Sequence, residues 1–361
     1  MKRLCAVFVF LFVFIFNSYA SNLSVAVVAP FGGNLSAFAE EFYNGLNLSL
    51  PSFVDLVKID SDGDFLDKLE KINPVAIVGP FSKSNVDKLI GEYCNKPVLI
   101  VLPLAKSDDN CSNVVYYGYD PILASRQLAE YLCNINSGSI GLFYSFDRID
   151  TKEKDAFLDA LSNCDKSVSV LSAIPSLYET MESFLKNLFG VVKLKKISGL
   201  TKGKVFEHSL DVDTLVIFAS QSTFVHIVSL LDYYDIHPCR ILSVSLQLRK
   251  DLFELSLTAR KSLRFITPYY MCQTDGYAKK FLDEYRKTFF EEPTFMSAVG
   301  NDIGMLLKKY YFNNKNLFDA KDLKLLLGHL LFFDDTGKAV IEYKMIGYKE
   351  LNRCKQQISD R

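Results

Sequence analysis

Two strand-terminating loops hold the residues of this chain best suited to binding. Val75–Val78 and Val98–Leu102 are short apolar runs bounded by turn residues, the pattern of fully buried parallel strands. The first run leads through Gly79-Pro80 to Ser82, Ser84 and Asn85. The second leads through Pro103 to Ala105, Lys106 and Ser107. In open parallel sheets, ligands sit beyond the carboxyl ends of the strands, where loops and helix N-termini offer amide N–H groups. The pattern predicts a ligand cleft with no catalytic residue attached to it.

Other candidate sites fail on spacing. Asp60-x-Asp62-x-Asp64 opens like a calcium loop, but an EF-hand requires Gly at its sixth position and Glu at its twelfth, and these are Phe65 and Lys71. The run is read as a turn in which Asp64 caps the next helix. Gly32-Gly33 is too short for a phosphate loop. His208, His226, His237 and His329 have no metal spacing, and no G-x-S-x-G nucleophile accompanies them. No metal or cofactor is expected, and the chain is read as a non-enzyme.

The N-terminus stands apart. Lys2 and Arg3 precede an apolar run from Leu4 to Phe16, and small residues occupy the −3 and −1 positions of a cut after Ala20. Residues 1–20 are read as a secretory signal peptide, because the run is shorter than the ~20 residues a spanning helix needs. No later segment reads as a span, so the mature chain is expected to be periplasmic or otherwise extracytoplasmic. The residue after the cut is Ser21, not cysteine, so no lipid anchor is expected. Removal of Lys2 and Arg3 leaves 39 basic against 42 acidic residues, a net charge of −3, which predicts no nucleic-acid partner. Seven cysteines remain: Cys94, Cys111, Cys133, Cys164, Cys239, Cys272 and Cys354. Export permits disulfides, and an odd count leaves at least one thiol unpaired. Cys94 closes a helix and Cys111 lies in the loop after the next strand, within reach of a bridge. Most of the seven are read as small buried hydrophobes.

The elements that position these loops alternate. Strands are expected at Ser24–Ala29, Val54–Ile59, Val75–Val78, Val98–Leu102 and Val114–Tyr116, with a helix over Leu35–Leu50. After a helix at Ile122–Cys133, a second series places strands at Ile140–Tyr144, Val168–Ala173, Leu215–Ala219 and Ile241–Val244. Helices fall at Thr151–Leu161, Leu177–Phe189 and Phe224–Tyr234. Such alternation means α/β architecture with parallel sheets, and two series mean two similar lobes. The chain ends in helices at Gly276–Phe289, Phe295–Phe312 and Ala320–Leu327, then a hairpin turning at Asp334–Gly337. Val191–Lys204 carries five lysines and no acid, and is read as a solvated basic loop.

In this order the elements resemble the type I periplasmic binding proteins, in particular the leucine/isoleucine/valine-binding family, over essentially the whole mature chain. The stretch Phe265-Ile-Thr-Pro-Tyr-Tyr, Phe281-Leu-Asp-Glu-Tyr-Arg, Glu292-Pro-Thr-Phe and Gly300-Asn-Asp-Ile-Gly is similar to the family's aromatic strand, F-x-x-x-Y, E-P and Y-D-A sequence, with Asn301-Asp302 in place of Tyr-Asp. The resemblance implies two Rossmann-like lobes joined by a three-crossing hinge. Lobe one would comprise 21–119 and 270–328, and lobe two 120–269 and 329–361. In amino-acid-binding members, hydroxyls and amides of lobe one hold the ligand carboxylate and an acid of lobe two holds its ammonium. Ser82 matches the family's serine. Lys106 stands where threonine is usual, Ile149 and Gln221 or Ser222 where covering tyrosines are usual, and Ser245 where the acid would be. An ammonium without a carboxylate partner is costly in a closed cleft, so free α-amino acids are poor candidates. Lys106 and Arg148 would favour an anion if both face the cleft, but surface placement is the preferred reading.

The resemblance implies capture of a small ligand between two lobes, as the solute-binding component of an ABC-type transporter delivering to a membrane permease. The alternative is the penicillin-binding-protein-activator branch, in which the same fold binds a cell-wall synthase.

Overall fold

A computed structural model of the chain describes residues 23–104, 111–193, 206–269, 272 and 276–359, without the side chains of 148, 149 and 357–359. The signal-peptide reading, Ala105, Lys106, Tyr270 and most of the basic loop therefore lie outside the described residues. The chain divides into two compact units. Unit 1 holds residues up to Gly118, Glu284–Lys321 and Phe332–Ala339. Unit 2 holds Tyr119–Asp283, Asp322–Leu331 and Val340 onward.

Unit 1 is built on a parallel sheet of β1 (Leu23–Ala29), β2 (Val54–Asp60), β3 (Ala76–Val78), β4 (Leu99–Leu102) and β5 (Val114–Tyr116), in the order β2-β1-β3-β4-β5. Val25–Ala29 and all of β3 and β4 are buried. Continuous Val/Ile/Leu runs are what a strand covered on both faces requires. Helices α1 (Ser36–Ser49), α2 (Phe65–Ile72) and α3 (Lys83–Tyr93) follow β1, β2 and β3. A Cβ at Gly79, where φ is +97°, would lie 2.1 Å from the Val28 carbonyl oxygen, so only glycine fits the turn out of β3.

Unit 2 opens with α4 (Pro121–Cys133) and repeats the plan. Its sheet contains β6 (Ile140–Tyr144), β7 (Val170–Ala173), β10 (Thr214–Phe218), β11 (Arg240–Ser243), β12 (Leu263–Ile266) and β16 (Met345–Ile346), in the order β16-β12-β11-β10-β6-β7. All pairings are parallel except β16 against β12. Its helices are α5 (Arg148–Ser162), α6 (Tyr178–Phe189), α7 (Gln221–Tyr233), α8 (Lys250–Glu254), α9 (Leu257–Ser262), most of α10 (Gly276–Phe289) and the terminal α12 (Tyr348–Ser359). A two-residue pair, β8 (Val192–Lys193) with β9 (Phe206–Glu207), borders the basic loop.

Helix α11 (Phe295–Lys309) belongs to unit 1 and crosses α1 through glycine. A Cβ at Gly45 would lie 1.9 Å from the Ser297 oxygen, and one at Gly300 would lie 2.1 Å from the Phe42 oxygen. Backbone against backbone therefore sets this contact, and Met296–Gly304 is buried along its whole length. Asp302 of the Asn-Asp pair is fully buried and accepts a 2.8 Å hydrogen bond from the Tyr117 hydroxyl.

Two expectations require correction. Ala320–Leu327 is not a helix. Asp322 takes a left-handed φ of 53°, and β13 (Leu323–Lys324) pairs antiparallel with β14 (Gly328–Phe333), which precedes β15 (Ala339–Tyr343). Leu323 joins the sheet, and Leu325, Leu326 and Leu327 are buried in the loop that leads to β14. Most cysteines are also not lone hydrophobes. Cys94–Cys111, Cys133–Cys164 and Cys272–Cys354 are disulfides, with Cα–Cα distances of 5.4, 5.8 and 5.3 Å. Cys239 is a free, exposed thiol.

Candidate functional site

In unit 1 the parallel strands all end on one side, and the residues just past them meet there. Pro30 and Gly32 follow β1, Ser61 and Asp62 follow β2, Phe81 and Ser82 follow β3, and Leu104 follows β4. Together with Leu35 and Phe38 of the α1 approach and Phe295 and Met296 of α11, they line a cleft of about 590 Å³. Ser82 is the N-cap residue of α3, with extended backbone and no side-chain capping bond. Its hydroxyl lies 3.4 Å from that of Ser84. Asn85 also lines the cleft and donates to the Ser61 carbonyl at 3.2 Å, tying the β2 and β3 loops together. The first-turn amides of an α-helix have no intrahelical acceptor, so the start of α3 can donate to an oxygen brought to Ser82.

The acidic run beside this cleft is a turn, as its spacing indicates. The Asp62 amide donates to the Asp60 carboxylate at 3.2 Å. Asp64 occupies the N-cap position of α2 but makes no side-chain capping bond, which corrects the capping role expected of it. Among the described residues no group of His, Cys, Asp or Glu is arranged to hold a metal.

In unit 2 the loops leaving β6, β10 and β11 converge, and their polar groups are engaged with one another. Gln221, the first residue of α7, donates from Nε2 to Asp251 at 2.7 Å and accepts at Oε1 from the Gln247 amide at 2.9 Å. Its amide holds the β10 loop to the β11 loop and to α8. Ser245 has a positive φ of 62°, which among the described residues only Phe290 shares outside Gly, Asn and Asp. Its amide donates to the Tyr119 hydroxyl at 3.0 Å, its Oγ lies 3.2 Å from the same hydroxyl, and that Oγ donates to Glu153 Oε1 at 3.3 Å.

Where the resemblance implies an acid and the sequence has Ser245, the fold therefore brings a carboxyl from α5. Glu153 is 3% exposed. Burial, with Asp150 and Asp147 nearby, pushes its carboxyl up to about 8 against the lowering effect of the Ser245 bond. Burial, and then Asp147, pushes Asp150 up to about 6. Near neutrality Glu153 is thus protonated, and it ionises readily if a positive group arrives. The signal for this cluster in the sequence is the Asp147-x-x-Asp150-x-x-Glu153 spacing, which stacks acids on successive turns of one helix.

Of the residues singled out in the sequence, Ser82 and Asn85 come together in the unit 1 cleft with Ser84 beside them. Gln221 and Ser245 lie in the converging loops of unit 2. Arg148 opens α5, with its side chain outside the described residues, as Ala105 and Lys106 are entirely. The apolar lining residues Leu35, Phe38, Phe295 and Met296 carry no motif and emerge only with the fold.

No family model matches the chain, and no curated protein matches it in sequence. Solved structures do match. A Rhodospirillum rubrum protein, provisionally described as a branched-chain amino acid ABC transporter, superposes with a TM-score of 0.74 at 14% identity, covering 90% of this chain and 97% of that one. LivJ from Streptococcus pneumoniae, solved in complex with isoleucine, superposes with a TM-score of 0.61 at 14% identity, covering 91% and 96%. The C-domain of LpoA from Haemophilus influenzae, a regulator of PBP1A, superposes at 0.63 with 14% identity, covering 90% and 97%. Against a longer LpoA structure the chain spans 57% of that protein. At such identities the likeness shows the fold, which is that of the type I periplasmic binding proteins: α/β, with two parallel-sheet units.

Proposed function

We propose that this protein is an exported, non-catalytic binding protein for a small ligand, serving as the solute-binding component of an ABC-type transporter. The observation that carries the reading is the unit 1 cleft. It sits beyond the carboxyl ends of parallel strands, is framed by Ser82 and Asn85 at the start of α3, and has a volume in the range of small-molecule sites. Three disulfides among the described residues, and the charged-then-apolar N-terminal sequence, support an extracytoplasmic location. Among the described residues, no helix is long and apolar enough to cross a membrane. The transport assignment comes from fold analogy to ABC-transporter binding proteins. The expected partners are the ligand and a membrane permease.

A second reading, a regulator that binds a cell-wall synthase, is favoured by one observation. The LpoA C-domain superposes as well as LivJ does, and the one carboxyl found where an ammonium partner is expected, Glu153, is already bonded to Ser245.

The discriminating experiment is a thermal-shift screen of the chain against amino acids, amines, small carboxylates, phosphorylated metabolites and muropeptides. A ligand that binds only the folded state raises stability by RT ln(1 + [L]/Kd), about 2.7 kcal/mol at a hundredfold excess over Kd. A clear shift for one class supports the receptor. No shift for any class overturns it and leaves the regulator reading, which capture of a purified synthase then tests.

A further inference from the structure

The unit 1 cleft has a chemical bias that the receptor reading does not require. Its walls are largely apolar. Leu35, Phe38 and Leu104 stand at its mouth 54%, 52% and 49% exposed, although nothing in the fold of unit 1 needs three large apolar side chains in water. Behind them lie Phe81, Phe295 and Met296. Exposed apolar surface gathered around a cavity is characteristic of binding sites, and its desolvation contributes roughly 25 cal/mol per Å² covered.

The charge of the cleft points one way. Asp62 is the one charged residue among the described lining residues, and it forms no ion pair among the described residues. The start of α3 opposes it with the positive end of a helix dipole, equivalent to about half a charge, which a neutral oxygen satisfies as well as an anion does. A full negative charge beside aromatic faces favours a cation, and ammonium groups are also attracted to aromatic rings within ~6 Å. Covering Asp62 with an anion would set like charges together without compensation.

Resting on the receptor reading, we infer that the ligand is an amine with an apolar, ring-bearing body and no carboxylate, its ring seated among Phe38, Phe81 and Phe295 and its ammonium facing Asp62. An anionic ligand, which Lys106 and Arg148 would favour if both faced the cleft, is the opposite of this one.

The chain contains no tryptophan, so a single Phe38→Trp substitution gives a fluorophore that reports on this cleft alone. The probes are 2-phenylethylamine, phenylacetamide and phenylacetate, which share a ring and differ in charge. The expected result is saturable change with all but the anion, with the amine at least about tenfold tighter than phenylacetate. Asp62→Asn should remove most of the amine's advantage and leave the amide unchanged. Thermal shift of the unsubstituted chain with the same probes should repeat the ranking, which guards against a reporter that perturbs the site. Phenylacetate binding as tightly as the amine overturns the inference, as does the absence of saturation by any ring probe. If the ring probes fail while the broad screen finds a carboxylate or phosphorylated ligand, the receptor reading stands and this inference falls. If the broad screen is also silent, both fall.

Discussion

The two units end their parallel sheets in loops of similar chemistry and use them differently. In unit 1 the serine at the start of α3 is almost idle among the described residues, its hydroxyl meeting that of Ser84 at 3.4 Å, and apolar side chains around it face solvent. In unit 2 the glutamine at the start of α7 is saturated by Asp251 and Gln247, and Ser245 is tied to Tyr119 and Glu153. A polar group that the fold already satisfies must break bonds of about 1 kcal/mol net each before it can serve a ligand. An idle group carries no such cost. Under the proposed function, ligand contact would fall mainly to the unit 1 loops, and loop rigidity to the polar groups of unit 2.

The largest contrast to test is covalent. The bridge of unit 1, Cys94–Cys111, closes a separation of 17 residues, whereas Cys272–Cys354 of unit 2 closes 82. On the chain-entropy account these contribute about 3 and about 4.5 kcal/mol respectively. Replacing each pair with alanine and following urea unfolding should give a larger loss for Cys272→Ala/Cys354→Ala. Equal losses would show that loop length does not set how the two units are held.

Unit 1 relies instead on close backbone contact between α1 and α11. Gly300→Ala places a methyl group where the Phe42 oxygen would be 2.1 Å away. The helices must separate, at a cost of about 1–3 kcal/mol, and the cleft residues Phe295 and Met296 move with α11. Circular dichroism should report a lowered midpoint, and affinity for a cleft ligand should fall with it. Alanine at Gly91 on α3, where nothing lies within 4 Å of a Cβ, is the control: it should leave affinity unchanged and raise stability by up to about 1 kcal/mol.

These contrasts are unevenly legible in the sequence. The strands of unit 1 are apolar runs punctuated by Gly and Pro, so Val75–Leu102 declares its strand–loop–helix–strand order directly. Ala320–Leu327 misleads, because once Asp322 takes a left-handed turn Leu323 pairs in a sheet and the leucines after it are buried from a loop. Local propensity yields to tertiary pairing there. The disulfides depend on which cysteines meet in space, across as many as 82 residues, and spacing does not carry that information. Glu153 escapes notice because acids on helices are ordinarily solvated, and only the fold buries this one against Ser245. The apolar lining of the cleft is invisible for the converse reason, since exposed Leu and Phe look like core until their surroundings are known.

The buried acid gives unit 2 a pH dependence. Glu153 is held near 8 in the folded chain, above its ordinary value of 4.5. The folded state therefore binds the proton more tightly than the unfolded state does. The resulting stabilisation is present in full below about 4.5 and is lost as the pH rises to about 8, with a slope of at most about 1.36 kcal/mol per pH unit for one group. Asp150, raised to about 6 from 3.8, adds a decline over that narrower range. Glu153→Gln should flatten the fall in stability between pH 5 and about 8 and leave the shallower Asp150 component. An unchanged profile would mean that Glu153 is solvated in the protein.

The finest test sets the two helix-opening residues against each other. Gln221→Ala removes one of two donors to Asp251 Oδ1, which keeps the Leu252 amide, and the acceptor of the Gln247 amide, a loss of about 1–2 kcal/mol. Ser82→Ala removes a hydroxyl that makes no capping bond, so its effect on stability should lie within about 0.5 kcal/mol. Ligand affinity should respond in the opposite order. Ser82→Ala should weaken a cleft ligand by the worth of one hydrogen bond, about 0.5–1.5 kcal/mol, while Gln221→Ala should act on affinity only as far as it loosens the unit 2 loops. Chemical unfolding and ligand titration of the same two variants decide between the roles. If Ser82→Ala proves the more destabilising and Gln221→Ala the more damaging to binding, the contact and rigidity roles of the two units are reversed.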